Sequence, residues 1–152
     1  MLTLFVKDQN VKHFMNALFY GAMFDAYEVR SAYINHFIKL EINGELLHKK
    51  NESPNNYITW SELKQYLINF IKGNIKPSYI KIIFSIQREA LNNILTNTAA
   101  AFINLEYANN KVRFLTATSQ REFSLSKEQD KIWDDHVRRF FYANGIMTEE
   151  ET

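Results

Sequence analysis

The stretch FINLEYANNKVRFLTAT, residues 102–118, decides the fold class, because it holds two extended segments separated by two asparagines. Residues 101–107 and 111–118 are rich in the β-branched, aromatic and aliphatic side chains that favour strands. Asn109 and Asn110 tolerate the backbone conformations of a tight turn between them. We therefore predict a strand pair here, followed by a third strand over 121–125.

The flanking sequence alternates between strand and helix patterns. Residues 78–84 predict a strand, and apolar residues recurring at helical spacing over 87–96 predict a helix after it. Downstream, Ser126 and Gln129 have the spacing of a capping box, which predicts the start of a helix over 127–144. The apolar side chains of that last helix are Ile132, Trp133, Val137, Phe140 and Phe141.

The first third of the chain has a similar order. Alternating apolar residues over 2–6 predict a strand, and apolar residues three and four apart over 9–19 predict a helix. Residues 26–48 predict three strands, with a turn or bulge near Asn35 and His36 where the apolar positions change parity. Asn43 and Gly44 form the strongest short hairpin pattern in the chain.

One further helix is predicted over 59–72, between these two parts of the chain. Thr59 and Glu62 have the spacing of a capping box, and Gly73 marks the end of the helix. Its apolar stripe is made by Trp60, Leu63, Tyr66, Leu67, Phe70 and Ile71. A polar segment containing Pro54 precedes it and predicts a loop.

A repeated order of elements follows from these patterns: strand, helix and three strands occur over about 1–48 and again over about 78–125. The sequence FIKLEI at 37–42 aligns with FINLEY at 102–107. We predict a single α+β domain spanning 1–152, with antiparallel sheets built from the two units. The helices over about 59–72 and 127–144 are additions to the repeat. The alternative is that amphipathic elements align by chance.

The second unit resembles the repeated unit of the sliding clamps, the processivity factors of DNA polymerases. The resemblance is carried by IIFS at 82–85, LNNIL at 91–95, FINLE at 102–106, KVRFLTAT at 111–118 and EFSLS at 122–126. It implies a ring-forming or ring-derived fold whose helices face DNA and which catalyses nothing. The whole chain also resembles a bacterial family of similar length without an assigned activity, at WDDHVRRF (133–140) and ING (42–44).

The composition limits the classes of function. The 152 residues include no cysteine, which excludes disulfides, thiolate catalysis and cysteine-ligated metals, and fits a reducing, cytoplasmic location. The N-terminal residues do not have the pattern of a signal peptide, and no apolar run is long enough for a membrane helix. The formal net charge of +1 predicts no strong overall attraction to polyanions, so any nucleic-acid contact would need a local patch.

A local excess of positive charge lies between residues 63 and 88, which include no Asp or Glu. Basic residues interleaved with aromatic ones suit phosphate contacts combined with base stacking. The candidate nucleic-acid-binding residues are Lys64, Lys72, Lys76, Lys81 and Arg88, together with Lys12 from the helix over 9–19. The alternative is that the aromatic residues belong to the core and the lysines only keep the outer faces solvated.

No catalytic or metal-binding pattern is present in the sequence. There is no G-x-S-x-G motif and no glycine-rich phosphate loop. Asp134, Asp135 and His136 are adjacent on a predicted helix, so their side chains diverge instead of converging on one ion. Spacing predicts ion pairs of Asp134 with Arg138 and of Asp135 with Arg139. We therefore predict no catalytic residue, no metal and no cofactor.

Trp133, Phe140 and Phe141 form an aromatic edge on the last predicted helix. This edge either packs the helix onto the sheet or forms a surface for a protein partner or a second copy. A homo-oligomer is not otherwise indicated, and no membrane partner is expected. As for function, we expect a non-catalytic, clamp-like binding module that contacts nucleic acid or a replication or repair protein. The alternatives are a small enzyme with a spatially assembled acid/base site and a protein–protein adaptor.

Overall fold

The computed structural model describes residues 1–48, 55–73 and 75–151. Within these ranges the chain forms seven strands and four α-helices. In chain order they are β1 (Thr3–Val6), α1 (Val11–Tyr20), β2 (Glu28–Asn35), β3 (Lys39–Asn43), α2 (Trp60–Ile71), β4 (Tyr79–Ser85), α3 (Arg88–Ile94), β5 (Thr98–Ala108), β6 (Lys111–Gln120), α4 (Glu128–Ala143) and β7 (Thr148–Glu150). The helices predicted over 59–72 and 127–144 are confirmed as α2 and α4. Between them lie β4, α3 and the β5–β6 hairpin.

All seven strands belong to one sheet in the order β3-β2-β4-β5-β6-β1-β7, and every neighbouring pair is antiparallel. The α+β class with antiparallel strands is therefore confirmed. The β5–β6 hairpin turns at Asn109 and Asn110, whose φ angles are 53° and 60°. Two consecutive positive φ angles characterise the turn type that suits the twist of a hairpin.

The helices pack on one face of this sheet. From α1, Phe14 contacts Phe114 of β6 at a ring-centroid distance of 5.2 Å. From α4, Phe141 stacks on the same Phe114 at 4.3 Å. Trp60 of α2 meets Phe84 of β4 edge-on at 5.5 Å. All five rings belong to one continuous core cluster, which explains why the chain needs so many aromatic residues.

The third strand predicted in each unit is wrong. Residues 121–125 form no strand, because side chains satisfy the backbone there: Asn97 bonds both the N–H and the carbonyl of Glu122, and Gln120 accepts from the N–H of Ser124. Residues 44–48 likewise form no named strand. Glu45 makes only an isolated bridge with Tyr57.

The hairpin predicted at Asn43 and Gly44 is also wrong. Gly44 is the last residue after β3 that bonds to β2, because its N–H donates to the carbonyl of Arg30 at 2.9 Å. The carbonyl of Gly44 accepts instead from the N–H of Ile58, in the segment before α2, at 2.8 Å. Beyond this point the partner of β2 is the segment that precedes α2, and not the chain that follows β3. The turn between β2 and β3 lies at residues 36–38 instead, directly after Asn35, where the change of parity predicted a turn or bulge.

The strand order does not show the twofold relation that the repeat predicts. The hairpins β2–β3 and β5–β6 correspond to each other, but β4 lies beside β5, the next strand of its own unit. Its counterpart β1 lies beside β6 and not beside β2. The two units therefore occupy unequal places in one continuous sheet.

Neither the predicted capping boxes nor the two ion pairs predicted on α4 are formed. At α2, Thr59 makes no side-chain capping hydrogen bond. At α4, the hydroxyl of Ser126 accepts from the N–H of Glu128 at 3.2 Å, but the box is not completed, because the side chain of Gln129 accepts from the N–H of Thr96 at 2.9 Å. On α4, Asp134 accepts a hydrogen bond from the hydroxyl of Thr116. Arg138 pairs instead with Asp135, at 2.7 Å, and with Glu150. Gln129 and Asp134 thus bond to groups outside α4, whereas Asp135 keeps a local partner on the helix, Arg138 instead of Arg139.

His136 provides a pH test of the packing of α4. Its ring stacks on Trp133 at 5.2 Å, and burial, followed by the nearby Arg139, lowers its pKa. Below about pH 6.5 the unfolded chain therefore takes up a proton that folded His136 resists. We expect stability to fall as pH drops through this range, and to fall less in His136→Gln. Urea unfolding of both proteins across the range measures the difference, and parallel pH profiles would contradict it.

Candidate functional site: the open face of the sheet

The sheet has a second face that no described helix covers. Its side chains alternate with the core positions and are exposed or half-buried. We call it the open face. The strand registers place its residues in rows across the sheet. The longest row is Glu41, Tyr33, Lys81, Glu106, Arg113, Phe5 and Glu149. Aromatic, acidic and basic side chains are thus mixed along a polar surface.

Arg30 lies at a β-bulge on the open face, between two aromatic rings. The pairing of β2 with β4 shifts between Val29 and Ser31, so Arg30 is the extra residue of a β-bulge. Bulges re-aim side chains, and this one brings the guanidinium group 4.0 Å from the ring centroid of Tyr57 and 5.2 Å from that of Phe102. The Nε–H of Arg30 donates to the hydroxyl of Ser85 at 3.0 Å.

A cavity of about 770 Å³ opens beside Arg30. Its walls combine rings, amides and carboxylates: Tyr33, Tyr57, Phe102, Asn43, Asn104, Glu41 and Glu45 line it. Arg30 forms no ion pair with any described residue, and its hydrogen bond to Ser85 uses Nε and not the terminal nitrogens. The rings hold that cation in place, which lowers the entropy lost when it binds an anion.

A second charged group lies farther along the open face. Arg113 pairs with Glu106 at 2.9 Å, and the hydroxyl of Tyr79 donates to the same carboxylate at 3.2 Å. Burial, and then the charge of Glu106, raises the pKa of Tyr79, so its hydroxyl stays protonated. The Nε of Arg113 is buried and has no hydrogen-bond partner among the described residues.

The six predicted basic residues do not form one surface. Lys81 lies on the open face, but Lys64 is tied to Asp25 and to the carbonyl of Gly21 on the helix side. Lys12 and Lys76 line a different cavity, also on the helix side. Lys72 and Arg88 are exposed at helix ends. Sequence proximity grouped residues that the fold separates, and it missed Arg30, Arg113, Tyr33 and Phe102.

The predicted aromatic partner surface belongs to the core. Trp133 and Phe141 are fully buried, and Phe140 is half-buried against Phe24 and Tyr27 at centroid distances of 5.2 and 5.3 Å. The interpretation in which this edge packs α4 onto the sheet therefore fits the structure, because α4 crosses the covered face.

Among the described residues, no group with a shifted pKa lines the cavity beside Arg30. Burial raises the pKa of Glu28, while Arg30 and Arg88 oppose the shift. The pKa of His136, on the helix side, is lowered. In the part of the chain that the structure describes, no three His, Asp or Glu side chains converge as metal ligands would. Within that part, no helix has the length and apolar character needed to cross a bilayer.

Comparison with known proteins gives one family. A model described as a family of unknown function (DUF5721) matches residues 17–149, which include every strand except β1 and end within β7. No curated protein and no solved structure matches the chain.

Proposed function

This chain belongs to the DUF5721 family of unknown function, and we propose from its own geometry that it is a non-catalytic module that binds single-stranded nucleic acid on the open face. The observation that carries the proposal is Arg30, held on an uncovered antiparallel sheet between the rings of Tyr57 and Phe102. Phosphates recognise such a cation, and bases stack on exposed rings.

The charges of the open face suit a moderate, salt-dependent affinity. Its basic residues are Arg30, Lys39, Lys81, Lys111 and Arg113, and its acidic residues are Glu41, Glu45, Glu106 and Glu149. One of the acids, Glu106, is already paired with Arg113. The balance is therefore positive but small, so stacking and hydrogen bonds must contribute along with phosphate contacts.

Single strands suit this surface better than duplexes do. Stacking on a protein ring requires a base that is not already stacked and paired in a helix. Tyr33 is 37% exposed at the centre of β2, and the amides of Asn43 and Asn104 line the same cavity. The clamp resemblance would instead predict contacts from helices, which here bury their apolar sides against the covered face.

The test is binding of fluorescein-labelled single-stranded oligonucleotides of about 12 nucleotides, followed by anisotropy at several salt concentrations. Lys81→Glu places a negative charge in the middle of the open face and is expected to weaken binding about tenfold. Tyr33→Ala removes a stacking ring and is expected to cost about 1–3 kcal/mol of binding energy. Lys131→Glu, the matched control, makes the same charge change at an exposed site on α4.

Three outcomes would contradict the proposal. One is no binding by the wild-type protein at about 50 mM salt, where electrostatic attraction is strong. A second is an equal loss in Lys81→Glu and Lys131→Glu, which would indicate attraction to the whole molecule and not to the open face. The third is equal affinity for a duplex of the same sequence, since a duplex offers no free bases to Tyr33.

A further inference from the structure

A second cavity, on the helix side of the sheet, has the chemistry of a different kind of site. Its volume is about 450 Å³, within the usual range for small-molecule pockets. Its floor is apolar and comes from α1, the end of α2 and the core face of the sheet. The apolar and aromatic lining residues include Val11, Met15, Phe19, Ile71, Ile80 and Tyr107.

Two cations line the rim of this cavity. Lys12 extends from α1, and Lys76 lies between α2 and β4; both are exposed. Neither forms an ion pair with any described residue. Asp8 is the one acidic residue among the lining residues, so the rim carries a net positive charge. The remaining polar groups at the rim, on Asn16 and Asn110, are neutral.

This arrangement separates an apolar floor from a cationic rim. Transfer of an unbranched hydrocarbon chain from water to such a floor is favourable in proportion to the apolar area that is buried. A carboxylate at the end of that chain would meet Lys12 or Lys76 and would stay partly hydrated, which avoids the cost of burying a charge. A polar ligand would leave the floor unused, and a neutral one would leave the lysines unused.

We propose that this cavity binds a medium-chain carboxylate, an amphipathic anion with an unbranched apolar tail. The tail lies against Met15 of α1 and Ile71 of α2, the half-buried apolar residues of the floor, and the carboxylate contacts Lys12 and Lys76. The cavity is separated from the open face by the sheet itself, because Ile80 and Tyr107 belong to the core side. The two sites therefore fail or succeed independently.

The test is calorimetric titration of the full chain with decanoate, kept below its micelle concentration, and with 1-decanol. The wild-type protein is expected to bind one decanoate, and to bind the alcohol about tenfold more weakly because the alcohol lacks the charge. Lys12→Glu and Lys76→Glu are each expected to weaken decanoate binding about tenfold. Lys131→Glu, the same charge change at an exposed site on α4 outside this cavity, is the matched control and should bind normally.

Met15→Trp tests the tail separately, since a larger side chain at the floor fills the space without changing charge. We expect it to abolish decanoate binding while circular dichroism shows an unchanged fold; Met15→Leu, of similar volume, should keep binding. The proposal is overturned if wild-type protein shows no saturable uptake of decanoate, or if decanol binds equally well. It is also overturned if Lys131→Glu weakens binding as much as the two rim variants.

Discussion

Gly44→Ala is expected to destabilise the folded protein by about 4 kcal/mol or more, the range that marks a specific structural conflict. A β-carbon on residue 44 would lie 1.8 Å from the carbonyl oxygen of Val29 and 2.8 Å from its carbonyl carbon. Both atoms are backbone, so no side-chain rotation can relieve the overlap. Either β3 or the segment before α2 must move away from β2. Urea unfolding followed by circular dichroism measures the loss.

Gly145→Ala is the matched control for this substitution. Gly145 has a φ angle of +72°, but apart from its two chain neighbours no described residue lies within 4 Å of the position where its β-carbon would be. The change therefore adds only the cost of holding an L-residue in a left-handed conformation, about 1–2 kcal/mol. Equal losses in the two variants would mean that Gly44 is not crowded by β2, and that β3 leaves the sheet elsewhere.

Gly44 also shows where local sequence patterns fail. Asn43 and Gly44 have the composition of a hairpin turn, and nothing nearby in the sequence reveals that Gly44 is needed for another reason. That reason is the approach of Val29, a residue 15 positions earlier, and the pairing of Ile58, 14 positions later. At Asn109 and Asn110 the same kind of pattern is correct, because the turn is completed by its own two adjacent strands.

The candidate site was only partly predictable for a related reason. Alternation along β4 and β5 indicates two faces, but it does not show that helices cover just one of them. Arg30 could not be identified because its orientation depends on a bulge, which is defined by the pairing with β4. The basic residues over 63–88 begin on α2, which packs on the covered face, and continue on β4, where Lys81 points to the open face. These residues are therefore separated.

Trp133→Ala is expected to cost about 3–5 kcal/mol of stability, because the change removes a large ring from a closely packed site. Trp133 is fully buried, its indole N–H donates to the carbonyl of Phe102 at 3.0 Å, and its ring stacks on His136. Trp133→Phe keeps an aromatic ring but leaves the carbonyl of Phe102 without this donor, so an intermediate loss is expected. Urea unfolding monitored by the fluorescence of Trp60 measures both. If Trp133 served instead as a contact for a partner, Trp133→Ala would cost less than about 1 kcal/mol, as exposed positions do. That result would contradict the packing of α4 on the sheet.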